Sequence, residues 1–289
     1  MPQFALLLTT LVWGATFPAT KVVLDQIPPL SFLFLRFLLG TLCSVGILAL
    51  ARRELRLDSL TLTRSAIATV WLFLGYTLQT AGLLYTTASN SAFITALYVV
   101  FVPLFLGRFD VRIWVSAALA IVGLWFLINP SVAINAGDVM TLGCAAAFGA
   151  HIACLERYTR EGDPVSFFVW QMIMVTGLMV PAMLIESPPA SAFQPTALLL
   201  MALIVTGILA TGAFAVQIWA QRLLPAQRVA LIFSLEPAYA AWLSWYFLGE
   251  RMDATAWLGS GLIFAAVLIG AIAPPAEKLP PAAETGAVA

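Results

Sequence analysis

From Phe4 almost to Pro274 the chain is a succession of apolar runs, broken only by short polar or proline-marked stretches. Each run is about 18 to 23 residues long, which is what an α-helix needs to cross the hydrocarbon of a bilayer. The runs place ten helices at 4–24, 30–51, 64–84, 90–107, 112–129, 138–157, 165–184, 196–219, 226–247 and 254–273. Charged residues make up 10% of the chain and hydrophobic ones 62%. Ordinary soluble domains are about 25% charged, so a soluble fold is excluded. A membrane β-barrel needs short alternating segments around a polar lumen. These runs are continuous and rich in Leu and Ala, and the fold class is therefore an all-α integral membrane protein.

The first run carries no charged leader and continues through Thr16, Lys21 and Asp25 without a small-residue cleavage site, so it reads as a retained crossing. The tail from Pro274 is proline-rich, small and polar, the composition of a disordered segment. Cys43, Cys144 and Cys154 all fall inside helices and match neither a disulfide framework nor a zinc spacing. No metal or cofactor is expected, and a net charge of zero gives no reason to expect nucleic acid.

Lysine and arginine in short loops orient a membrane chain. Arg52, Arg53, Arg56 and Arg64 follow the second crossing, Arg108 and Arg112 the fourth, Arg157 and Arg160 the sixth, and Arg222 and Arg228 the eighth, with Lys278 in the tail. The alternate loops carry little that is basic beyond Arg251. Both termini are therefore expected in the cytoplasm, with the chain passing repeatedly through the inner membrane.

The sequence also repeats itself. An offset of 135 lays Gly14-Ala15 on Gly149-Ala150, and Pro29, Ser31 and Phe32 on Pro164, Ser166 and Phe167. An offset of 138 lays Gln79, Ala88, Ala92, Ile94 and Leu97 on Gln217, Ala226, Ala230, Ile232 and Leu235, and an offset of 143 lays Trp114 on Trp257 and Leu119 on Leu262. The offset grows only across loops, as after a duplication with small insertions. Five crossings per half is an odd number, so the second half enters from the opposite side, giving a 5+5 inverted repeat. Such pairs rock about a site near the midplane.

In each half the first, third and fourth crossings carry a polar-aromatic stripe at helical spacing. Thr9, Trp13, Thr16 and Thr20 mark the first, with Thr141, Cys144, Phe148 and His151 on the sixth. Tyr76, Gln79 and Thr80 mark the third, with Phe214, Gln217 and Gln221 on the eighth. Ser91, Thr95 and Tyr98 mark the fourth, with Glu236, Tyr239 and Tyr246 on the ninth. The second, fifth, seventh and tenth are plainer and are expected to form an outer wall. The candidate substrate contacts are Trp13, Thr16, Tyr76, Gln79, Thr95, Tyr98, Phe148, His151, Phe214, Gln217, Glu236 and Tyr239, with Pro18, Pro103 and Pro237 as candidate kinks. Hydroxyls in membrane helices also bond their own backbone, so each residue alone has a packing reading beside the functional one.

Glu236 stands apart, because an acid at mid-membrane costs about 2.5–3.5 kcal/mol to insert. It either attracts an ammonium group or carries a proton, or it is a structural partner for His151, Lys21 or Arg36. Lys21 and Arg36 lie toward helix ends, where they can snorkel or pair with Asp25. Gly212 and the Gly259-x-Gly261 pair read as sites of close helix packing.

Ten crossings, the duplication, the early WGATFPATK and the late FSLEPAYAAWLSWYFLGERM together resemble the drug/metabolite transporter superfamily, and within it the EamA-type members. The resemblance covers about residues 4 to 273. It implies two EamA-like five-helix repeats, 1–134 and 135–273, and a cytoplasmic tail 274–289. It also implies a central cavity lined by helices 1, 3, 4, 6, 8 and 9. The fourth-helix wording ASNSAFITALYVVFVPLF is similar to that of YddG-like exporters of aromatic and other neutral amino acids. The first half departs from the family pattern: Pro103 is displaced relative to Pro237, and Leu106-Gly107-Arg108 stands where the second half has Leu248-Gly249-Glu250. The expected function is export of such amino acids or related metabolites by alternating access. An exporter of small amphipathic or cationic drugs is the alternative. Outside transport, the alternatives are a membrane receptor or scaffold, or an intramembrane enzyme. One histidine and no mid-membrane Asp pair leave an enzyme poorly equipped. Expected partners are a small-molecule solute, the lipid bilayer and, as a candidate coupling ion, the proton. A monomer suffices for this reading.

Overall fold

The computed structural model describes residues 2–107, 111–128, 135–159, 162–233 and 235–272. Among the described residues the chain forms ten helical rods and no strand. The continuous rods are α1 (Pro2–Val23), α2 (Pro29–Leu50), α3 (Ser59–Gly82), α5 (Val111–Ile128), α6 (Ala136–Tyr158), α7 (Pro164–Glu186) and α10 (Ala254–Ile272). α4 has two segments, Ala88–Thr95 and Tyr98–Phe105, as does α9, Ala226–Phe233 and Glu236–Leu248. α8 (Ala197–Gln221) contains a π-helical stretch, Ile204–Leu209. Six of the rods are by themselves long and apolar enough to cross a membrane: α1, α2, α4, α6, α7 and α8. The tail from Pro274, Arg108, Arg160 and Lys278 lie outside the described residues.

Helix starts follow local chemistry. α3 begins five residues earlier than its apolar run because Asp58 accepts from Thr61 N at 2.8 Å, closing the first turn. Thr87, Asn135, Asp163 and Thr196 cap α4, α6, α7 and α8 in the same way. α2 has Pro28 at that place and no side-chain cap of its own. Its free N–H groups are met instead from the far half: Leu30 N and Ser31 N donate to the Glu186 carboxylate at 3.1 and 2.8 Å, and Ser31 Oγ at 2.7 Å. The equivalent donors of α7, Val165 N, Ser166 N and Ser166 Oγ, use the local Asp163.

The interruptions in α4 and α9 fall at equivalent places, 138 residues apart. Leu97 N donates to Ile94 O at 3.1 Å, and Leu235 N to Ile232 O at 3.3 Å. Val100 N then donates to Leu97 O at 2.9 Å, and Ala238 N to Leu235 O at 3.1 Å. Each is a pair of tightened i→i+3 turns inside a longer rod. In α9 the break sits beside Pro237, which cannot donate. Pro103 lies well inside the second segment of α4, so the break there does not fall at that proline. Pro18 is enclosed within continuous α1.

The rods pack in matched sets. α1 lies along α8 and the second segment of α9, while α6 lies along α3 and the second segment of α4. α2 packs on α7, and α5 runs along α10. At that last contact a Cβ added to Gly259 would lie 2.5 Å from Leu127 N, so this glycine does permit close approach. Gly212 and Gly261 have nothing within 4 Å of such a Cβ, contrary to the expectation for them. Arg52, Arg53, Arg56, Arg112, Arg157 and Arg222 are exposed. Lys21 does not pair with Asp25. It crosses to the end of α3, donating to Leu83 O and to Thr86 O at 2.5 and 2.9 Å. Glu156, 135 positions later, accepts from Ala226 N at 3.2 Å at the start of α9.

Candidate functional site

A central cavity opens between α1, α3, α4, α6, α8 and α9. Its wall consists of Trp13 and Thr16 from α1, Leu72, Tyr76 and Gln79 from α3, Thr95 and Tyr98 from α4, Phe148, His151 and Ile152 from α6, Phe214 and Gln217 from α8, and Phe233 and Glu236 from α9. No residue of α2, α5, α7 or α10 is among them. Every substrate contact expected from the sequence is there except Tyr239. That residue lies half-buried where α9 meets α1, its Cβ against Gly14. Tyr246, from the same stripe, is 67% exposed and faces outward.

Two close approaches set the geometry. A Cβ built on Gly14 would lie 2.8 Å from Tyr239 Cβ and 3.0 Å from Glu236 O. One built on Gly149 would lie 2.6 Å from Phe101 Cβ and 3.3 Å from Tyr98 O. Gly14 and Gly149 are 135 apart, and Tyr98 and Glu236 are 138 apart. In both halves, then, a glycine lets the first rod press on the broken rod just where its cavity residue projects.

Half of the wall residues carry rings, His151 included. Trp13 meets Phe233 with ring centroids 4.8 Å apart, Tyr76 meets Phe148 at 5.0 Å, and His151 lies 5.4 Å from Phe214. Much of the polar equipment is already engaged. Trp13 Nε1 donates to Ala210 O, Thr16 Oγ1 to its own Trp13 O, and Gln79 Nε2 to Thr95 Oγ1 at 3.2 Å. Gln171, behind the wall on α7, bonds His151 Nε2 at 3.0 Å. The backbone reading thus holds for Thr9, Thr16 and Thr141, whose hydroxyls donate within their own helices.

Among the described residues, the wall groups left without a partner include Tyr98 and Glu236. Tyr98 Oη is buried and has no hydrogen-bond partner among the described residues. Glu236 is 8% exposed, and among the described residues no side chain bonds or pairs with it. The structural-partner reading for Glu236, with His151, Lys21 or Arg36, is therefore not met: His151 bonds Gln171, Lys21 caps α3, and Arg36 lies over the Tyr76 ring. Among the described residues no His/Cys/Asp/Glu cluster has the arrangement of a metal site. About 50 Å³ of the cavity admits the centre of a water molecule. That is room for roughly three or four waters, so a larger solute must spread the walls.

Sequence reasoning missed Leu72, Ile152 and Phe233, apolar residues that carry no signal of their own in an apolar chain. It also misplaced Arg36. The residue does not snorkel or meet Asp25; it is 4% exposed with its guanidinium carbon 4.2 Å from the Tyr76 ring centre. The useful signal was its place on the second crossing opposite Tyr76, which cannot be seen without the packing.

The family model described as the EamA-like transporter family matches residues 1–129 and again 135–271. A protein of Archaeoglobus fulgidus called an uncharacterized transporter is 34% identical over 273 residues, covering 92% of this chain and 84% of its own. The uncharacterized transporter YoaV of Bacillus subtilis is 24% identical over 267 residues, covering 88% of this chain and 91% of its own. The threonine/homoserine exporter RhtA of Escherichia coli is 31% identical over 160 residues, 53% of this chain and 52% of its own. One solved crystal structure superposes with a TM-score of 0.67 at 14% identity, covering 94% of this chain and 98% of that one, which shows a shared fold.

Proposed function

The chain belongs to the EamA-like transporter family, and from that premise we propose that it exports neutral amino acids or closely related zwitterions through the central cavity. The observation that carries this reading is the unpaired Glu236 carboxylate in an otherwise aromatic and amide-lined wall. A carboxyl group held out of water must meet a cation or take up a proton, and a solute ammonium group supplies that cation. The rings supply a surface for a hydrophobic side chain, and the free Tyr98 hydroxyl supplies a further polar contact. The name of the Escherichia coli relative, an exporter of threonine and homoserine, favours the same class of solute.

Transport proceeds in this reading by alternating access between two oppositely threaded halves, 1–134 and 135–273. The double family match, the equivalent breaks in α4 and α9, and the matched Gly14 and Gly149 contacts support it. Both termini lie in the cytoplasm and the exposed arginines face it, in the inner membrane of the cell.

The test is efflux from proteoliposomes loaded with labelled phenylalanine, threonine or methionine. Efflux that Glu236→Gln suppresses supports the proposal. Efflux of organic cations alone would transfer the site to the second reading, an exporter of cationic amphipaths, which the lone carboxylate also favours. A rate that follows an imposed pH gradient identifies proton antiport, and a rate indifferent to it identifies facilitated passage.

A further inference from the structure

Arg36 belongs to α2, which contributes nothing to the cavity lining, yet it lies directly behind that lining. Its guanidinium carbon sits 4.2 Å from the centre of the Tyr76 ring and 5.6 Å from that of Phe37. Tyr76 is itself a wall residue, packed edge-on against Phe148. Among the described residues Arg36 has no ion pair; its partner is Tyr76, through the ring it overlies and the phenol beside it. A ring face and one neutral phenol compensate only part of what a guanidinium with five donors loses on leaving water, so an anion is wanting.

The equivalent position in the second half, 135 residues on, is Gln171. It is fully buried and reaches the wall through His151. The halves therefore back the cavity at matched points, one with a neutral amide and the other with a cation. Glu236, on α9, lines the same cavity as Tyr76. A cation without an anion behind the wall and an unpaired carboxylate in it form the charge pattern complementary to a zwitterion.

We infer that Arg36 recognises the carboxylate of the solute, which reaches the guanidinium when Tyr76 turns aside, while Glu236 holds the ammonium group. Arginine suits the task because its planar fork meets a carboxylate with two parallel hydrogen bonds. This rests on the zwitterion reading above and adds which residue reads the acid end.

The experiment measures binding of paired ligands to the purified full chain: phenylalanine against phenylalaninamide, and threonine against threoninamide. The amides keep the amine and the side chain and lose only the anionic end. The wild type is expected to prefer the acids by about tenfold or more, the size of a hydrogen-bonded charge contact. Arg36→Gln should remove that preference by weakening the acids while leaving the amides within about twofold. Arg36→Lys, which keeps the charge and the ring contact but not the fork, should retain a reduced preference. An undiminished preference in either variant, or equal weakening of acids and amides, would make Arg36 structural and overturn the inference while the amino-acid reading stands. A wild type that binds neither acids nor amides overturns that reading and this inference with it.

Discussion

Replacing Gly14 by alanine tests whether backbone contact between rods positions the site. The added carbon would lie 2.8 Å from Tyr239 Cβ, about 0.6 Å inside the 3.4 Å at which ordinary contact begins. Its other neighbours, Glu236 O and Ala240 N at 3.0 and 3.1 Å, are main-chain atoms that no rotamer change can move. α1 and α9 must separate, and overpacking of this kind costs about 1–3 kcal/mol. Alanine returns about 1 kcal/mol of helix propensity, so the expected net loss is about 0–2 kcal/mol. Gly149→Ala should behave alike, since its carbon meets Phe101 Cβ at 2.6 Å. Gly177→Ala is the control: it lies within α7 with nothing inside 4 Å, and the same chemical change should raise stability by up to about 1 kcal/mol. Thermal unfolding should therefore stay level or fall in Gly14→Ala and Gly149→Ala and rise in Gly177→Ala, separating the two kinds of variant by a few degrees. Solute efflux should fall in Gly14→Ala, because the displaced carbonyl is that of Glu236 itself. If Gly14→Ala and Gly149→Ala prove as stable as Gly177→Ala, the rods do not touch through these glycines and the geometry given for the site is wrong.

Glu236→Gln should lower efflux of neutral amino acids by about tenfold or more, the loss of a hydrogen bond to a charged group; unchanged rates would take the carboxylate out of the binding site. Lys21→Met leaves Leu83 O and Thr86 O without their donor, and should cost about 1–3 kcal/mol in denaturant or thermal unfolding. The Asp163 carboxyl is pushed up by burial, but the bonds from Ser166 and the charge of Arg53 outweigh this and hold it below the usual carboxylate range. A depressed folded value means that this contribution to stability is complete above the ordinary carboxylate pKa and fades as pH falls through the lowered one. Asp163→Asn should accordingly flatten the acid-side decline in melting temperature, and an unaltered decline would show that the carboxylate contributes nothing there.

The ten rods were legible because bilayer thickness imposes a length that composition reveals. The wall was legible because a polar residue on an apolar helix must find a reason to be there. Trp13, Tyr76, Gln79, Tyr98, Phe148 and Gln217 could be placed from spacing alone. Tyr239 could not: the tightened turns at Leu235 and the contact at Gly14 turn it toward α1, and neither shows in helical periodicity. Phe233 stayed hidden among apolar neighbours that look the same from the sequence. Pro103 misled, because a proline inside a rod suggests a bend while the actual break at Ala96–Leu97 has no marker residue. Arg36 misled in the opposite sense, since a basic residue toward a helix end usually reaches water, and only the packing of α2 behind α3 denies it that exit.

The cap that Glu186 provides for α2 joins residues 156 apart in the chain, and the bond from Ala88 N to Glu250 joins residues 162 apart. Synthesis delivers α2 and α4 to the lipid long before either acid leaves the ribosome. Until then Leu30, Ser31, Ala88 and Ser89 must satisfy their N–H groups with water at the bilayer surface. Early segments therefore insert provisionally, and late ones lock them. A fragment ending before Glu186 would remain a loosely seated precursor, open to membrane proteases, however well its own helices span.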